Sequence, residues 1–517
     1  MRLAPRTFRI QWDLHAWAGV VASLFLFVIF FCGVFSLFRE ELEVWQEPAL
    51  HAAPGGGPTP SFDALMAHLT KKGPLPRGAH VGFLMHEETR FVTAYVFPPG
   101  EPREFWLDPV TGAELTPRSR LSSELYWMHF FYRVPRGMEL TGLLAIASLA
   151  ALVSGLWIHL KDLRQQWWRF RPSQKPRFSA SDAHKVLGVF GLPFTVMLGW
   201  TGAVLCLSAL AGQGLTTSAF NGNPRRVSEL AGYAQPVREA AHADAVMRPI
   251  DELVSRARAA VPGATETPRY VELQLHGDAN AWAGVFFQLE PLGADHYAFI
   301  DSVSGAPLST SREYATPSFS FERVLFDLHY AHYGGLLLKL LYALLALAMC
   351  AVILTGNLIW LERRDSQREH LGNRLLERLT VGVSGGLVFG TSVYFAANRA
   401  LPEMPRRADW EFGLFLGAWA LAAVLTLVPR ASSRHAGVVL CMGAAALFGG
   451  VVVADVAFRE ANLFTAISRG LPPVFISELL LCALALGCGG LARGLARRRP
   501  PEALRAPLGT PPHGYQV

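Results

Sequence analysis

Long apolar segments alternate with polar loops along the chain, in a pattern typical of an integral membrane protein. A helix needs ~20 residues to cross a hydrocarbon core of ~30 Å, and eight apolar runs are near that length. They cover residues 16–38, 140–160, 186–210, 340–361, 379–398, 412–429, 436–457 and 472–492. We therefore predict an α-helical integral membrane protein with about eight transmembrane helices, the first of them an uncleaved anchor.

The first 361 residues contain an internal repeat of helix, long loop and helix. Each loop begins with an amphipathic helical pattern and continues with alternating, strand-like stretches, which predicts two small α+β domains. Each loop also ends on an Asp-x-x-[Thr/Ser]-Gly element, at Asp108 and at Asp301. We interpret this element as a turn in which Asp bonds backbone amides and Gly112 or Gly305 adopts positive φ, rather than as a catalytic site. The helices repeat in the same order, so the two halves are parallel repeats.

Short connections rich in Lys and Arg predict the orientation in the membrane, because such connections stay in the cytoplasm. Basic residues cluster in 161–177, in 363–378 and in the C-terminal tail. An even number of spans then places both termini in the cytoplasm and both long loops on the periplasmic side. The net charge is +6, with 51% hydrophobic and 17% charged residues. We attribute this charge to topology and to contact with anionic lipid, and not to nucleic-acid binding.

These patterns divide the chain into seven predicted segments. They are a first transmembrane helix (1–38), a periplasmic domain (39–128), helices two and three with a cytoplasmic loop (129–210), a second periplasmic domain (211–328), a fourth helix (329–365), four additional helices (366–492) and a cytoplasmic tail (493–517). The additional helices carry Asp455 and Glu478 in or beside apolar runs. Carboxylates at such positions suggest a proton path or a quinone pocket.

Four histidines lie near the ends of the first four apolar segments and form two matched pairs. His15 and His184 lie on the cytoplasmic side, and His129 and His329 lie on the periplasmic side. In an up-down bundle the first and third helices are diagonal, as are the second and fourth, so each pair can face across the core. Two imidazoles are the axial ligands of a b-type haem. The sequence therefore suggests two haems, although a single histidine at a membrane interface is usually only a boundary residue.

Other residues compete for these roles or could assist them. His332 is the alternative to His329, and His159 is the reserve ligand for the inner haem. Cations that could contact haem propionates are Lys185 and Lys161 inside, and Arg133, Arg136 and Arg323 outside. The Trp residues that could pack on a porphyrin, or form an aromatic belt, are Trp17, Trp157, Trp200 and Trp360. Asp precedes three of the four histidines by two residues, at 13, 182 and 327, which we interpret as helix N-caps.

Two stretches resemble the signatures of the PepSY-associated transmembrane family. They are Gly155-Leu-Trp-Ile-His-Leu-Lys with Asp182-Ala-His-Lys-Val-Leu-Gly, and His329-Tyr-Ala-His-Tyr-Gly-Gly. The similarity covers roughly residues 10–365, and the two loops are similar to PepSY domains. Members of this kind include inner-membrane siderophore reductases with two b-type haems. The resemblance thus implies an oxidoreductase that reduces ferric iron at the periplasmic face, and it implies no role for the last four helices.

The expected function is one-electron transfer from a quinol or a cytoplasmic reductase to a ferric siderophore or another ferric chelate. Reduction releases Fe(II), because hard-oxygen chelators hold it less tightly than Fe(III). The first alternative is a non-enzymatic PepSY-type module that binds or regulates envelope proteins. The second is a haem-bearing subunit that feeds a separate membrane reductase.

Overall fold

The computed structural model contains eight helices that are long and apolar enough to cross a membrane, which confirms the predicted number among the described residues. The described residues are 4–51, 61–71, 75–86, 90–97, 103–159, 176–223, 226–227, 235–265, 267–287, 296–311, 317–331, 333–364, 370–428 and 432–497. The predicted C-terminal tail lies largely outside these ranges.

Fifteen α-helices organise the described part of the chain. They are α1 (Pro5–Leu37), α2 (Arg39–Gln46), α3 (Phe62–Lys71), α4 (Leu121–His129), α5 (Gly137–His159), α6 (Pro176–Phe190), α7 (Leu192–Ser218), α8 (Ile250–Ala260), α9 (Pro317–Tyr330), α10 (Gly335–Arg363), α11 (Leu371–Leu379), α12 (Gly386–Ala400), α13 (Arg407–Leu427), α14 (Ser433–Phe458) and α15 (Pro472–Arg497). A π-helical turn, Thr380–Gly385, joins α11 to α12 into one span.

The spanning helices form two packed groups. In the first, α1 packs against α5 and α10, α5 packs against α7, and α6 packs against α10. In the second, α14 packs against α15, while α12 contacts α13 and α14. One hydrophobic core continues between the groups, because buried side chains of α1, such as Phe35, pack against Phe395 of α12. The duplicated half is therefore joined to the last four helices by tight apolar packing.

Three of the four histidines lie on helices that precede a spanning helix. α4 ends at His129, α9 ends just after His329, and His184 lies within α6. After α4 and α9 the chain turns through left-handed residues, Phe131 at φ 52° and Ala331 at φ 57°. The second and fourth spans begin with α5 and α10, close to the predicted runs 140–160 and 340–361, so His129 and His329 lie before these spans and not at their first residues. Only His15 lies on a spanning helix.

The interpretation of Asp13, Asp182 and Asp327 as helix N-caps is also wrong. All three lie inside α1, α6 and α9, beyond the first turn of each helix. The residue at the N-cap of α1 is Ala4. The apolar run marks only the lipid-facing part of a helix, and the polar residues before it continue the helix, so the start was predicted too late.

The two long loops form one continuous sheet, where two separate domains were predicted. Its strands are β1 (His80–Met85), β2 (Val92–Phe97), β3 (Arg103–Leu107), β4 (Glu114–Leu115), β5 (Pro268–Gln274), β6 (Trp282–Phe287), β7 (His296–Asp301) and β8 (Pro307–Thr310). The order is β4-β3-β2-β1-β5-β6-β7-β8, and all described pairings are antiparallel. The first strands of the two loops, β1 and β5, pair with each other, so each loop protects the edge that the other would expose.

Helices α3 and α8 cover one face of this sheet and cap each other. Asp63 of α3 accepts a hydrogen bond from the backbone N–H of Ile250 at 2.7 Å, and Asp251 of α8 accepts one from the N–H of Phe62 at 2.7 Å. Each carboxylate thus satisfies an amide at the start of the other helix, where such amides have no intrahelical partner. These two reciprocal hydrogen bonds are related by a local two-fold axis between the two loops.

The two Asp-x-x-[Thr/Ser]-Gly elements are turns, as predicted. Asp108 Oδ1 accepts the backbone N–H of Thr111 at 2.7 Å, and Asp301 Oδ1 accepts that of Ser304 at 2.7 Å. The glycines that follow have φ of +68° and +76°. These carboxylates are used in closing the turns, which supports a structural role for both.

Candidate cofactor site

The four predicted histidines come together as two pairs. The ring centroids of His15 and His184 are 6.1 Å apart, with an interplanar angle of 82°. The centroids of His129 and His329 are also 6.1 Å apart, with an angle of 46°. In each pair one ring comes from the first half of the repeat and one from the second. The pairing expected for diagonal helices is therefore the pairing that the structure contains.

Each ring is oriented by a hydrogen bond at Nδ1. His15 bonds the carbonyl of Ala151 at 2.7 Å, His129 that of Ile29 at 2.7 Å, and His184 that of Val352 at 2.9 Å. A carbonyl only accepts, so Nδ1 carries the proton and a neutral ring presents the lone pair of Nε2. No described residue gives any of these Nε2 atoms a hydrogen bond. A fixed Nδ1–H partner of this kind is common behind a metal-binding imidazole.

The fourth ring uses a hydroxyl in place of a carbonyl. Nδ1 of His329 lies 2.8 Å from Oγ1 of Thr201. That hydroxyl donates its proton to the carbonyl of Met197 at 2.8 Å, so its oxygen accepts the N–H of His329. His329 therefore has the same tautomer as the other three histidines.

Four glycines make room for the four rings. A Cβ on Gly155 would lie 2.8 Å from Cε1 of His15, and one on Gly33 would lie 3.0 Å from Cε1 of His129. The corresponding distances are 3.2 Å from Gly356 to His184 and 3.4 Å from Gly202 to His329. Each ring thus lies edge-on against the backbone of a neighbouring helix.

These glycines were not predicted from the sequence, although a signal for them is present. Each follows a small residue, in the dipeptides Cys32-Gly33, Ser154-Gly155, Thr201-Gly202 and Thr355-Gly356. The dipeptides recur at matching positions of the internal repeat, one on each of the four spans of the duplicated half. A comparison of the halves restricted to small residues would have found them.

A cavity separates the two rings of each pair. The inner cavity, between His15 and His184, has a volume of about 320 Å³, and the outer one, between His129 and His329, has about 270 Å³. These volumes are near the lower end of the ~300–1,000 Å³ usual for cofactor sites. Both linings are mainly apolar, and Leu26, Phe30 and Ser148 belong to both. From residue 15 to residue 33 α1 rises by about 27 Å, so the two pairs lie far apart along the same bundle.

The polar residues at the two cavities differ. Lys185 and His159, both predicted as candidates, line the inner cavity, together with Arg363 and Arg364, which the sequence analysis did not select. The described lining of the outer cavity contains no Lys or Arg, and its hydroxyls come from Ser36, Tyr126, Thr141, Ser148, Tyr330 and Tyr342. The hydroxyls of Tyr126 and Tyr330 lie 3.3 Å apart. The inner cavity therefore suits an anionic group, whereas the outer one offers neutral hydrogen-bonding groups.

Two of the predicted outer cations are used elsewhere. Nε of Arg133 donates to Glu124 at 2.7 Å, and its guanidinium lies 4.6 Å from the ring centroid of Trp127. Arg136 pairs with Glu139 at 3.2 Å near the protein surface. Both cations thus have partners of their own, and their assignment as propionate contacts stays a prediction. The remaining alternatives, Lys161, His332 and the side chain of Arg323, lie outside the described residues.

The tryptophans divide between the two roles proposed for them. Trp360 lines the inner cavity and is 9% exposed, and Arg364 stacks on it at 3.4 Å. Trp17, Trp157 and Trp200 are exposed and belong to neither described lining. An aromatic belt at the membrane interface explains these three.

Comparison with known proteins places this arrangement in a family. The profile of the family described as "PepSY-associated TM region" matches residues 12–363, which include all four histidines and the whole sheet. An uncharacterized protein of Pseudomonas aeruginosa is 28% identical over 311 residues, covering 56% of this chain and 76% of that protein.

Proposed function

Because the chain belongs to the PepSY-associated transmembrane family, we propose that it is a haem-dependent oxidoreductase of the bacterial inner membrane. In this proposal His15 with His184, and His129 with His329, each hold one b-type haem. Electrons come from a quinol or a cytoplasmic reductase, and the acceptor is ferric iron in a siderophore or another chelate at the periplasmic face. Each ferric ion takes one electron and is released as Fe(II).

The geometry of the imidazole pairs carries this proposal. A metal-bound imidazole nitrogen lies about 2.0 Å from the metal and its ring centre about 1.1 Å further, so two opposed rings have centroids about 6.2 Å apart. The observed distance is 6.1 Å in both pairs. A bare transition metal takes four or more ligands, and among the described residues no group of three or more His, Cys, Asp or Glu is arranged so that it could hold a metal ion. A cofactor that carries the remaining donors itself would fit such a site, with one histidine of each half to hold it.

The walls of the inner cavity support a flat cofactor with an anionic edge. Gly19 and Gly188 line it, one helical turn after His15 and His184, and no atom lies within 4 Å of the place that a Cβ would occupy on either. Both glycines therefore leave open space beside the imidazoles. Lys185 lines the same cavity and brings a positive charge to it, as the carboxylates of a porphyrin require.

The residues of the chain would hold and insulate the cofactors. When bound, haem supplies reversible one-electron chemistry, and the protein supplies ligands, orientation and burial. The Nδ1 hydrogen bonds keep each Nε2 directed into its cavity. The shared apolar wall at Leu26 and Phe30 excludes water between the cavities. The two sites thus form a path along the bundle from one side of the membrane to the other.

The decisive experiment measures the ratio of haem to protein and the visible spectrum of the purified chain. The wild type should contain two haems with low-spin spectra, and His15→Ala or His129→Ala should each lose one. His51→Ala is a matched control, because His51 also bonds a carbonyl, that of Val44 at 3.0 Å, but belongs to neither pair. This variant should keep both haems.

A second measurement tests the acceptor. Reduced protein mixed with ferric chelates should be reoxidised and should release Fe(II), and variants that lack one haem should not complete this reaction. A colourless wild-type preparation, purified after expression with haem supply, would contradict the proposal and favour a binding or regulatory module. Haem binding without reoxidation by any chelate would favour a subunit of another membrane reductase.

A further inference from the structure

A buried polar cluster in the last four helices is independent of the two cavities. Glu478 of α15 and Asp455 of α14 are 0% and 2% exposed. Nε of Arg399, on α12, donates to both oxygens of Asp455 at 2.8 and 3.0 Å. The other guanidinium nitrogens of Arg399 donate to Oδ1 of Asn398 at 2.8 Å and to the carbonyl of Trp45 at 3.1 Å. Arg399 thus neutralises Asp455, and none of its hydrogen bonds goes to Glu478.

Glu478 has no charged partner of its own. Neither of its oxygens makes a hydrogen bond to a described residue at normal geometry. The Asp455 carboxyl and the backbone N–H of Leu463 lie within interaction range of it. A carboxylate has no proton to donate, so two carboxyl groups can bond only if one of them is protonated. An ionised and unpaired carboxylate at this depth would cost several kcal/mol.

The surrounding groups do not replace the missing partner. Arg459, just beyond α14, forms no ion pair with either acid among the described contacts. Cys482, one turn along α15, is a thiol and supplies no positive charge. His51 follows α2 near Arg399, and burial lowers its pKa, so it is neutral at pH 7. The local charges are thus two guanidinium groups and two acids, with a direct ion pair at Asp455 alone.

We propose that Glu478 and Asp455 form a proton-binding site that holds one proton at neutral pH. The proton lies on Glu478, which donates to the Asp455 carboxylate, and this carboxylate remains paired with Arg399. Loss of the proton would place two negative charges beside one guanidinium. The guanidinium of Arg399 also stacks on Trp45 of α2, 3.5 Å from the ring centroid. Binding or loss of the proton therefore affects this contact, which joins the last four helices to the histidine-bearing half.

Glu411 of α13 provides a matched control. It is 0% exposed, like Glu478, but it forms an ion pair with Arg407 and accepts a hydrogen bond from Ser119. A direct guanidinium partner favours the ionised form of a buried carboxylate. The structure therefore assigns opposite protonation states to two equally buried glutamates.

The experiment is infrared spectroscopy of the full chain in lipid nanodiscs at neutral pH, in H₂O and in D₂O. The wild type should show the carbonyl stretch of a protonated carboxylic acid, shifted in D₂O and lost at alkaline pH. Glu478→Gln should remove this band, and Glu411→Gln should keep it. A wild type without the band, its full persistence in Glu478→Gln, or its loss in Glu411→Gln would each overturn the proposal.

Stability against pH supplies a second readout if a variant folds poorly. A carboxyl that stays protonated in the folded state but ionises in the unfolded chain adds stability that is fully present only below the ordinary Glu range, and this contribution is lost as the pH rises from there to the pH at which the folded group ionises. The wild type should therefore lose unfolding free energy on going to alkaline pH, and Glu478→Gln should lose less. Parallel curves for the two proteins would contradict the assignment. Both measurements work without haem, so their outcome is separate from that of the proposed function.

Discussion

The glycine beside each imidazole gives the sharpest test of the cofactor site. In Gly155→Ala the new methyl carbon would lie 2.8 Å from Cε1 and 2.9 Å from Nδ1 of His15. Carbon atoms in contact are about 3.5–4.0 Å apart, so the ring must move by about 0.7 Å or more. The bond from Nδ1 to the carbonyl of Ala151, now 2.7 Å, is then stretched or lost.

The energetic cost is modest, and the geometric effect is large. Overpacking costs about 1–3 kcal/mol, and the weakened hydrogen bond costs about 0.5–1.5 kcal/mol. Replacing Gly by Ala within a helix stabilises the folded protein by about 1 kcal/mol. The net loss of unfolding free energy should therefore be about 0.5–3.5 kcal/mol. The inner imidazole pair, however, loses its alignment, so the inner haem should be lost or should become high-spin while the outer one is unchanged.

The four glycines form a graded series for the assay. The distances from the added Cβ to the facing ring increase in the order Gly155 (2.8 Å), Gly33 (3.0 Å), Gly356 (3.2 Å) and Gly202 (3.4 Å). Haem content and spin state, measured in each Ala variant, should be perturbed in that order. Gly202→Ala is the matched control, since 3.4 Å is close to ordinary contact. Full low-spin occupancy in Gly155→Ala, or equal loss in Gly202→Ala, would refute this reasoning.

Three further predictions concern single polar contacts. Thr201→Val removes the hydrogen-bond acceptor of His329; it should lower the free energy of unfolding by about 1–3 kcal/mol and reduce the content of outer haem. Thr355→Val should leave both haems in place, because His184, which faces Thr355, bonds the carbonyl of Val352. Asp251→Asn and Asp63→Asn should each cost about 0.5–2 kcal/mol in thermal unfolding, and together less than the sum, because the two caps exchange across one contact. Burial opposes ionisation of Asp301, but hydrogen bonds from Ser304 and Arg238 lower its pKa overall. Its contribution to the free energy of unfolding is therefore present at neutral pH and is lost as the pH falls below the ordinary Asp range. Asp301→Asn should flatten this acid dependence of stability, measured by urea unfolding.

Features repeated along the chain could be predicted from the sequence. The eight spans follow from apolar runs of sufficient length, because no other structure hides the backbone in lipid. The pairing of His15 with His184 and of His129 with His329 follows from the repeat, because matched helices are diagonal in an up-down bundle. Both deductions need only the one-dimensional pattern and the symmetry.

Features that depend on local backbone geometry or on distant pairing could not be predicted. The turns at Phe131 and Ala331 use positive φ at residues other than Gly, for which composition gives no warning. The joining of β1 to β5 depends on two segments almost two hundred residues apart. Alternating patterns identify strands but do not identify their partners. The result was two predicted domains in place of one shared sheet.

The hydrogen bonds at Nδ1 of the four imidazoles explain why the pairing of the histidines could be predicted better than the orientation of their rings. His15 of α1 bonds α5, and His129, just before α5, bonds α1. In the second half His184 bonds α10, and His329 bonds α7. Each half of the repeat therefore orients its own two imidazoles by a reciprocal exchange between its helices, whereas each cavity takes one ring from each half. A single half can hold both of its rings in position but cannot complete either pair, so a two-ligand site requires both copies of the unit in one bundle.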